Sequence, residues 1–151
     1  MKLIYLEQGS EQWLEFRRSR IGASDVAAIL GICPYGGTPY KKWQEKCAGH
    51  KTETTRAMRY GTNEEETLRN MYCDQYQSIH PCVALSDERD YVMASFDGIT
   101  ADRRRCVEIK HCRKEYFEMI GDNVAPEHFF AQGQIQMYVN EKSEVCDLVA
   151  R

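Results

Sequence analysis

The alternation of apolar and polar residues divides the chain into helical and extended segments. Apolar positions that recur at three- and four-residue steps predict helices at residues 11–20, 25–30, 40–48, 55–77, 115–121 and 127–139. Ser10, Ser24 and Thr38 are the expected N-caps of the first three, because a hydroxyl oxygen can accept a free N–H of the first helical turn. Gly31 and Gly49 are placed to end the second and third helices.

The long helix at residues 55–77 should pack through one apolar stripe, and a polar loop at residues 50–54 precedes it. Glu65 falls on or beside this stripe, which is made of Met58, Leu68, Met71 or Tyr72, and Tyr76. Residues 82–85, 91–96 and 105–110 have the β-branched and apolar content of strands, separated by polar turns. Three antiparallel strands in a meander are the simplest arrangement, and residues 144–150 predict one more strand. The chain is therefore expected to be an α+β protein.

Two carboxylates and a lysine on these strands form a candidate site. Alternate side chains of a strand share a face, so Glu108 and Lys110 should project together. Asp97 ends the preceding strand, with Gly98 relieving the backbone, and a tight connection would bring its carboxylate toward Glu108. Because Mg²⁺ prefers oxygen ligands, Asp97, Glu108 and the backbone carbonyl of Ile109 are a candidate magnesium site.

A site of this kind can hydrolyse a phosphodiester bond without a covalent intermediate. The metal ion would polarise the phosphate and activate water. Lys110 would orient the nucleophile and offset the charge that develops in the transition state. An acid, a gap and Glu-x-Lys also arise by chance, so a surface salt bridge is the competing interpretation of these three residues.

Composition limits the alternatives. The 151 residues suffice for one domain, and the net charge of −3 with a pI near 5.8 argues against a broad basic surface that coats nucleic acid. We expect a soluble, intracellular protein, since no apolar stretch approaches the roughly 18 residues of a membrane span. The seven cysteines are scattered without metal-ligand spacing, and we expect reduced thiols, mostly in the core, and no iron–sulfur cluster.

Longer motifs give a more specific indication. WLEFR followed by IGASDVAAILG, GTNEE on the long helix, SFDGI with VEIK, and AQGQIQM together resemble the lambda-exonuclease-like, YqaJ-type phage recombination nucleases of the PD-(D/E)XK superfamily. The resemblance spans nearly the whole chain and implies a restriction-endonuclease-like core, α/β/α-like, with a small mixed sheet flanked by helices. Phe96 stands where the superfamily name has proline, a position that contributes packing rather than ligands.

The resemblance also implies roles for further residues. Arg17 and Ser24 would contact a phosphate, which suits a guanidinium fork and a hydroxyl at a helix start. Glu65, preceded by Gly61 in the motif, would join the metal site, while Glu64 and Glu66 would be solvated. Gln132 would be the active-site glutamine, with Gln134 and Gln136 as alternatives. The implied cofactor is Mg²⁺, for which Mn²⁺ would substitute.

The implied activity is removal of nucleotides from a 5′ end of linear double-stranded DNA in phage-type recombination, in the cytoplasm of a phage-infected or prophage-bearing bacterium. An endonuclease or nickase, and an inactive relative that only binds nucleic acid or protein, are the alternatives. The resemblance further implies a homotrimeric ring and a single-strand annealing protein as partner. The basic residues available to contact a duplex are Arg17, Arg18, Arg20, Lys41, Lys42, Lys46 and Arg103 to Arg105, with a solvated surface as the competing interpretation of each. Residues 1–151 would form one nuclease domain that is either compact or lacks a C-terminal segment.

Overall fold

The computed structural model describes residues 1–50 and 56–151, with side chains described outside residues 56–63. The strands of this part of the chain are β1 (Lys2–Ile4), β2 (Ile21–Gly22), β3 (His80–Leu85), β4 (Val92–Ile99), β5 (Arg105–Lys110) and β6 (Val145–Ala150). Its helices are α1 (Glu11–Arg18), α2 (Val26–Ile29), α3 (Pro39–Cys47), α4 (Arg56–Gln75), α5 (Lys114–Gly121) and α6 (Glu127–Val139), and a 3₁₀ turn, Ala23–Asp25, precedes α2.

The strands form one mixed sheet in the order β1-β3-β4-β5-β6, with β2 pairing beside β4. The antiparallel meander predicted for β3, β4 and β5 is confirmed. The last strand, β6, instead pairs in parallel with β5 along its whole length, from Arg105 opposite Val145 to Lys110 opposite Ala150. Helices α5 and α6 form the crossover between these two parallel strands, as a parallel connection requires. The predicted α+β class, with a mixed sheet flanked by helices, is therefore confirmed.

Alternation along β4 and β5 distributes the core over both faces of the sheet. On one face Phe96 and Cys106 pack with Val139 of α6 and with Ala23 of the 3₁₀ turn. On the other face two groups pack. The group against α4 consists of Leu68, Tyr72, Ile79, Val107 and Ile109. The group against α1 consists of Trp13, Val83, Leu85 and Met93. The face assignment predicted for Cys106 against Val107 and Ile109 is thus observed.

Most predicted helix ends agree with the structure. Ser10 Oγ accepts a hydrogen bond from the Trp13 N–H at 3.2 Å, and Thr38 Oγ1 accepts one from the Lys41 N–H at 3.2 Å. Gly31 and Gly49 have φ values of +73° and +74°, the left-handed conformation that ends a helix. The expected cap at Ser24 is wrong, because Ser24 lies inside the 3₁₀ turn.

Other differences arise where the sequence pattern is short or ambiguous. The strands β1 and β2 were not expected, since three and two residues carry no readable period. On α4, Leu68 and Tyr72 are buried, but Met71 and Tyr76 are exposed. The expected loop at 50–54 and helix start at Thr55 fall largely on residues 51–55, outside the described residues, and the side chains of Met58 and Gly61 are likewise outside them.

Two expectations about composition can also be compared with the fold. All seven cysteines are free thiols, but only Cys106 is buried, while Cys47 is exposed and the others are intermediate. Cys106 nevertheless lies in one core cluster, and Cys73, Cys82 and Cys146 pack against core clusters, so most of the thiols contact the core as expected. Among the helices of the described residues, none combines the length and apolar content needed to cross a bilayer.

Candidate active site

Glu108 is the most enclosed carboxylate of the predicted site. Strand β5 projects it toward α6, where Gln132 and Gln136 lie one helical turn apart on the same face. Gln132 Nε2 donates to Glu108 Oε1 at 2.6 Å, and Gln136 Nε2 donates to the other carboxylate oxygen, Oε2. The side chain of Glu108 is only 4% exposed. Its two oxygens are therefore oriented by two neutral amides, which replace water as hydrogen-bond donors.

Lys110 lies beside Glu108 on the same face of β5 and forms an ion pair with its Oε1. Burial lowers the pKa of Lys110, but the carboxylates of Glu108, Asp97 and Glu65 outweigh this and raise the pKa above its ordinary value. The lysine is therefore an ammonium ion at neutral pH. As an ammonium ion it can stabilise negative charge and orient a water molecule.

Asp97 reaches the site from the neighbouring strand. The β4–β5 register consists of Gly98 opposite Val107 and Ile99 opposite Cys106. Just beyond these pairs, Asp97 Oδ2 accepts a hydrogen bond from the Ile109 N–H at 2.8 Å. Burial raises the pKa of Asp97 well above its usual value, and Glu108 and Glu65 add to this, while Lys110 opposes it.

Glu65 joins this group from α4 on the far side of the sheet. Arg69, one turn later, donates to Glu65 Oε1, and its Nε donates to the Asp97 carbonyl at 2.6 Å. Burial raises the pKa of Glu65, and Glu108 does so as well, against the opposing effect of Arg69. We call Glu65, Asp97 and Glu108 the carboxylate cluster. Glu64 instead pairs with Arg151 at 2.8 Å, and Glu66 is exposed.

The donor set of the carboxylate cluster suits a hard cation. Within the described residues, no three Asp, Glu, His or Cys side chains are arranged closely enough to hold a metal ion between them. Burial is the main cause of the raised pKa values of Asp97 and Glu65, and Glu108 adds to both, so a divalent cation at the cluster would favour their charged forms. The oxygens available to hold such an ion are those of the three carboxylates and of the Ile109 carbonyl.

A second charged group surrounds Asp25. This carboxylate is 1% exposed and receives Lys46 Nζ at 2.7 Å, Lys42 Nζ at 3.1 Å and Arg17 Nη2 at 3.4 Å. It also accepts the Gly22 N–H at 2.9 Å. Burial alone would raise the pKa of Asp25, but the three cations lower it to about 2. We call Arg17, Lys42 and Lys46 around Asp25 the cationic group.

The residues expected to contact phosphate lie at the edge of the cationic group. Arg17 Nη2 donates to Ser24 Oγ at 2.7 Å, and the Arg17 side chain is 31% exposed, so other guanidinium donors face outward. The guanidinium also lies 5.1 Å from the ring centroid of Trp13. Trp13 Nε1 donates to Ser95 Oγ at 3.2 Å, which ties α1 to β4. The Ser95 carbonyl in turn accepts Gln136 Nε2 at 3.5 Å, which connects this edge to the donors of Glu108.

The structure therefore brings the predicted residues together in two groups. The first contains Glu65, Asp97, Glu108, Lys110 and Gln132; the second contains Arg17 and Ser24. Of the alternative glutamines, Gln136 contacts Glu108, whereas Gln134 is exposed. Asp25 and Arg69 were missed. The four-residue step from Glu65 to Arg69 was a readable signal, but nothing in the local sequence marks Asp25 as buried.

Comparison with known proteins identifies structures with a similar fold. Structures of the alkaline exonuclease LHK-Exo from Laribacter hongkongensis and of LHK-Exo in complex with dAMP each superpose with a TM-score of 0.75 and 22% sequence identity. Each alignment covers 93% of this chain and 73% of the other, and at this identity it shows a shared fold. The comparison with curated proteins gave no significant match.

The family model described as the YqaJ-like viral recombinase domain matches residues 12–143. This span contains the carboxylate cluster, Lys110, both glutamines and the cationic group. The match covers most of the chain and confirms the resemblance that its motifs indicated. The chain therefore belongs to the YqaJ-like viral recombinase domain family.

Proposed function

We propose that the protein is a magnesium-dependent deoxyribonuclease that degrades linear double-stranded DNA from its 5′ ends. One observation carries the proposal: Glu108, oriented by Gln132 and Gln136, lies with Lys110 beside Asp97 in one enclosed group. The side chain of Glu108 is only 4% exposed, which differs from the exposed surface salt bridge that was the competing interpretation. The similar structures are those of an alkaline exonuclease, which supports the same reaction class.

Each residue of the site has a distinct part in phosphodiester hydrolysis. When bound, Mg²⁺ or Mn²⁺ would supply a Lewis acid for the phosphate and lower the pKa of a water molecule. Asp97, Glu108, Glu65 and the Ile109 carbonyl provide the oxygens to hold it. Lys110 stabilises the negative charge that grows on the phosphate oxygens. Gln132 and Gln136 fix Glu108 without adding charge that would compete for the cation.

The preference for a 5′ end would come from Arg17 and Ser24. A terminal phosphate carries more negative charge than an internal phosphodiester, and a guanidinium fork beside a hydroxyl suits it. The hydrogen bond from Arg17 to Ser24 holds these groups together before DNA binds. A homotrimeric ring and a single-strand annealing partner, in the cytoplasm of a phage-infected or prophage-bearing bacterium, complete the proposal.

The first experiment tests the reaction and its need for ends. Purified protein is incubated with linear 5′-phosphorylated duplex, linear 5′-hydroxyl duplex and closed circles, with Mg²⁺, with Mn²⁺ or with EDTA. We expect metal-dependent loss of linear duplex only. Asp97→Asn and Lys110→Met should each lower the rate about 100-fold or more, since each removes a charge that acts in the transition state.

Exposed residues of the same types provide matched controls. Asp90→Asn and Lys114→Met change the same charges on the surface and should leave the rate unchanged. Cutting of closed circles would replace the exonuclease with an endonuclease or nickase. Retention of DNA binding by the folded protein, without metal-dependent loss of any substrate, would instead identify an inactive binding relative.

A further inference from the structure

Four aromatic side chains form a continuous group beside Lys110 that the proposed chemistry does not use. Tyr116 meets His128 edge to face with ring centroids 4.8 Å apart, and His128 lies 4.0 Å from Phe129. Tyr35, from the segment between α2 and α3, adds edge-to-face contacts with His128 at 5.6 Å and with Tyr116 at 6.3 Å. We call Tyr35, Tyr116, His128 and Phe129 the aromatic wall.

The aromatic wall extends from the catalytic lysine to the surface. At its inner end, Lys110 Nζ lies 5.5 Å from the ring centroid of Phe129. At its outer end, Tyr35 is 53% exposed, and the Arg113 guanidinium lies 5.3 Å from its ring centroid. The exposed part of the Tyr35 ring is accessible to a ligand beside the Arg113 cation. Both ends of the wall thus present positive charge beside flat apolar surface.

His128 independently indicates that the aromatic wall lacks a hydrogen-bonding partner. The residue is 8% exposed, and its Nε2 atom has no hydrogen-bond partner among the described residues. Buried polar atoms are normally paired, and an unpaired one calls for an explanation. Burial lowers the pKa of His128, and Lys110 lowers it further, so the ring is neutral at pH 7 and can donate or accept one hydrogen bond. A nucleobase edge offers both kinds of partner.

We propose that the aromatic wall is a stacking site for a base of one of the two nucleotides joined by the scissile phosphate. The proposal rests on the proposed function, because the phosphate would lie at Lys110. Aromatic rings beside cationic groups bind unpaired bases without sequence preference, since every base has a π face. Arg113 would attract a neighbouring phosphate while Tyr35 covers the base. The wall would thereby hold the terminal nucleotides out of the duplex at the moment of cleavage.

The test combines a protein variant with a base deletion in the DNA. Tyr35→Leu removes the exposed ring and keeps apolar bulk, whereas Tyr35→Trp restores a stacking surface. Each is assayed on linear duplex with normal bases and on duplex that is abasic at the first or the second nucleotide. We expect Tyr35→Leu to raise KM about 5- to 100-fold on normal DNA. Tyr35→Trp should restore the wild-type KM, and wild type and Tyr35→Leu should be equal on one abasic substrate.

Controls separate stacking from stability and from the failure of nuclease activity. Tyr5→Leu changes a tyrosine that is 92% exposed next to the opposite edge strand, and it should leave KM unchanged. Binding of duplex with terminal 2-aminopurine, measured by fluorescence with EDTA, reports stacking even if no DNA is cut. The proposal would be overturned if Tyr35→Leu raised KM equally on normal and on abasic DNA. It would also be overturned if wild type and Tyr35→Leu quenched the 2-aminopurine fluorescence equally.

Discussion

Two aspartates in enclosed surroundings show opposite electrostatic behaviour. Asp97 faces other carboxylates, and burial with their repulsion raises its pKa. Asp25 faces three cations, and they lower its pKa to about 2 despite burial. A charged Asp97 therefore destabilises the metal-free fold, whereas a charged Asp25 stabilises it. The first arrangement suits a residue that binds a cation, and the second suits a residue that holds neighbouring side chains in position.

Asp97→Asn is expected to raise the melting temperature of the metal-free protein at pH 7 to 8 by a few degrees, about 1 kcal/mol for a chain of this size. The folded-state pKa of Asp97 lies above the unfolded value of about 3.9, so ionisation costs stability as pH rises above that value. Below about pH 4 the two proteins should melt together. Thermal melts in EDTA from pH 4 to 8 measure this, and a gain that is largest at acid pH would contradict it.

Asp25→Asn should have the opposite effect on stability and should also weaken recognition of the 5′ end. Three cations would be left without their buried counter-charge, which lowers the melting temperature at pH 7. Because the folded pKa is depressed, the difference from wild type should shrink as pH falls from about 4 toward 2. Arg17→Ala should remove the same recognition by deleting the phosphate contact itself.

Recognition of the 5′ end is measured as the ratio of kcat/KM on 5′-phosphorylated duplex to kcat/KM on 5′-hydroxyl duplex. We expect about a tenfold or larger fall in this ratio for Arg17→Ala and Asp25→Asn, the worth of a hydrogen bond to a charged group. Lys41→Ala is the matched control, since the ammonium group of this exposed lysine of α3 bonds only to the Gly36 carbonyl among the described residues. An unchanged ratio in Arg17→Ala would place the recognition of the terminal phosphate elsewhere.

Residues whose neighbours are close in sequence could be identified from the sequence, and others could not. The alternation in VEIK places Glu108 and Lys110 together, and this follows from strand geometry alone. Gln136 could have been ranked with Gln132, since a four-residue step puts both on one helix face. The burial of Asp25 depends on Lys42 and Lys46 of another helix, so the local sequence pattern gives no indication of it.

At the level of elements, the junction of α4, β3 and β4 determines where Asp97 lies. Gly98 follows Asp97 directly, and a Cβ atom at this position would lie 2.2 Å from Ile79 Cδ1. Ile79 itself packs with Leu68 and Tyr72 of α4, so it has little room to move. A glycine is therefore required here by close packing rather than by backbone conformation.

Gly98→Ala is expected to destabilise the protein by about 1–3 kcal/mol, the usual effect of overpacking a core. It should also lower nuclease activity, because a shift of β4 moves the Asp97 carboxylate. Ile79→Ala in the same chain should restore part of the activity by making space. Gly121→Ala is the control, since a Cβ atom there meets nothing within 4 Å. Urea unfolding and the linear-duplex assay measure both effects, and equal stability of the two alanine variants would contradict the packing argument.

The long elements were predictable and the short ones were not. Helices α4 and α6 and strands β3 to β5 carry enough periods to be recognised, and hydroxyl caps place the starts of α1 and α3. Strand β2 has only two residues and forms because the chain leaving α1 runs beside β4. Tertiary contact decides such an element, as it decides which of Met71 and Tyr72 faces the core.

At the scale of the whole molecule, the net charge of −3 does not show how the charged residues are paired within the fold. Many of the basic residues expected to contact DNA are already committed within the fold: Lys42 and Lys46 to Asp25, Arg105 to Asp147, and Arg18 to Glu15. Arg17 and Lys110 are paired as well, with Asp25 and Glu108, and both lie within the candidate site. This favours binding at a DNA end over coating of the duplex. The trimeric ring and the annealing partner stay predictions.

The pairing of β5 with β6 also fixes when the active site can form. Lys110 and Glu108 gain their second neighbouring strand from residues 145–150, and Glu108 gains its amide donors from α6. All of these partners leave the ribosome after β5, and such distant pairings close slowly. During synthesis, the carboxylates of the candidate site are therefore present before the residues that orient them have been made. The amide donors of Glu108 and the strand beside β5 therefore join the fold after the residues of the meander have been synthesised.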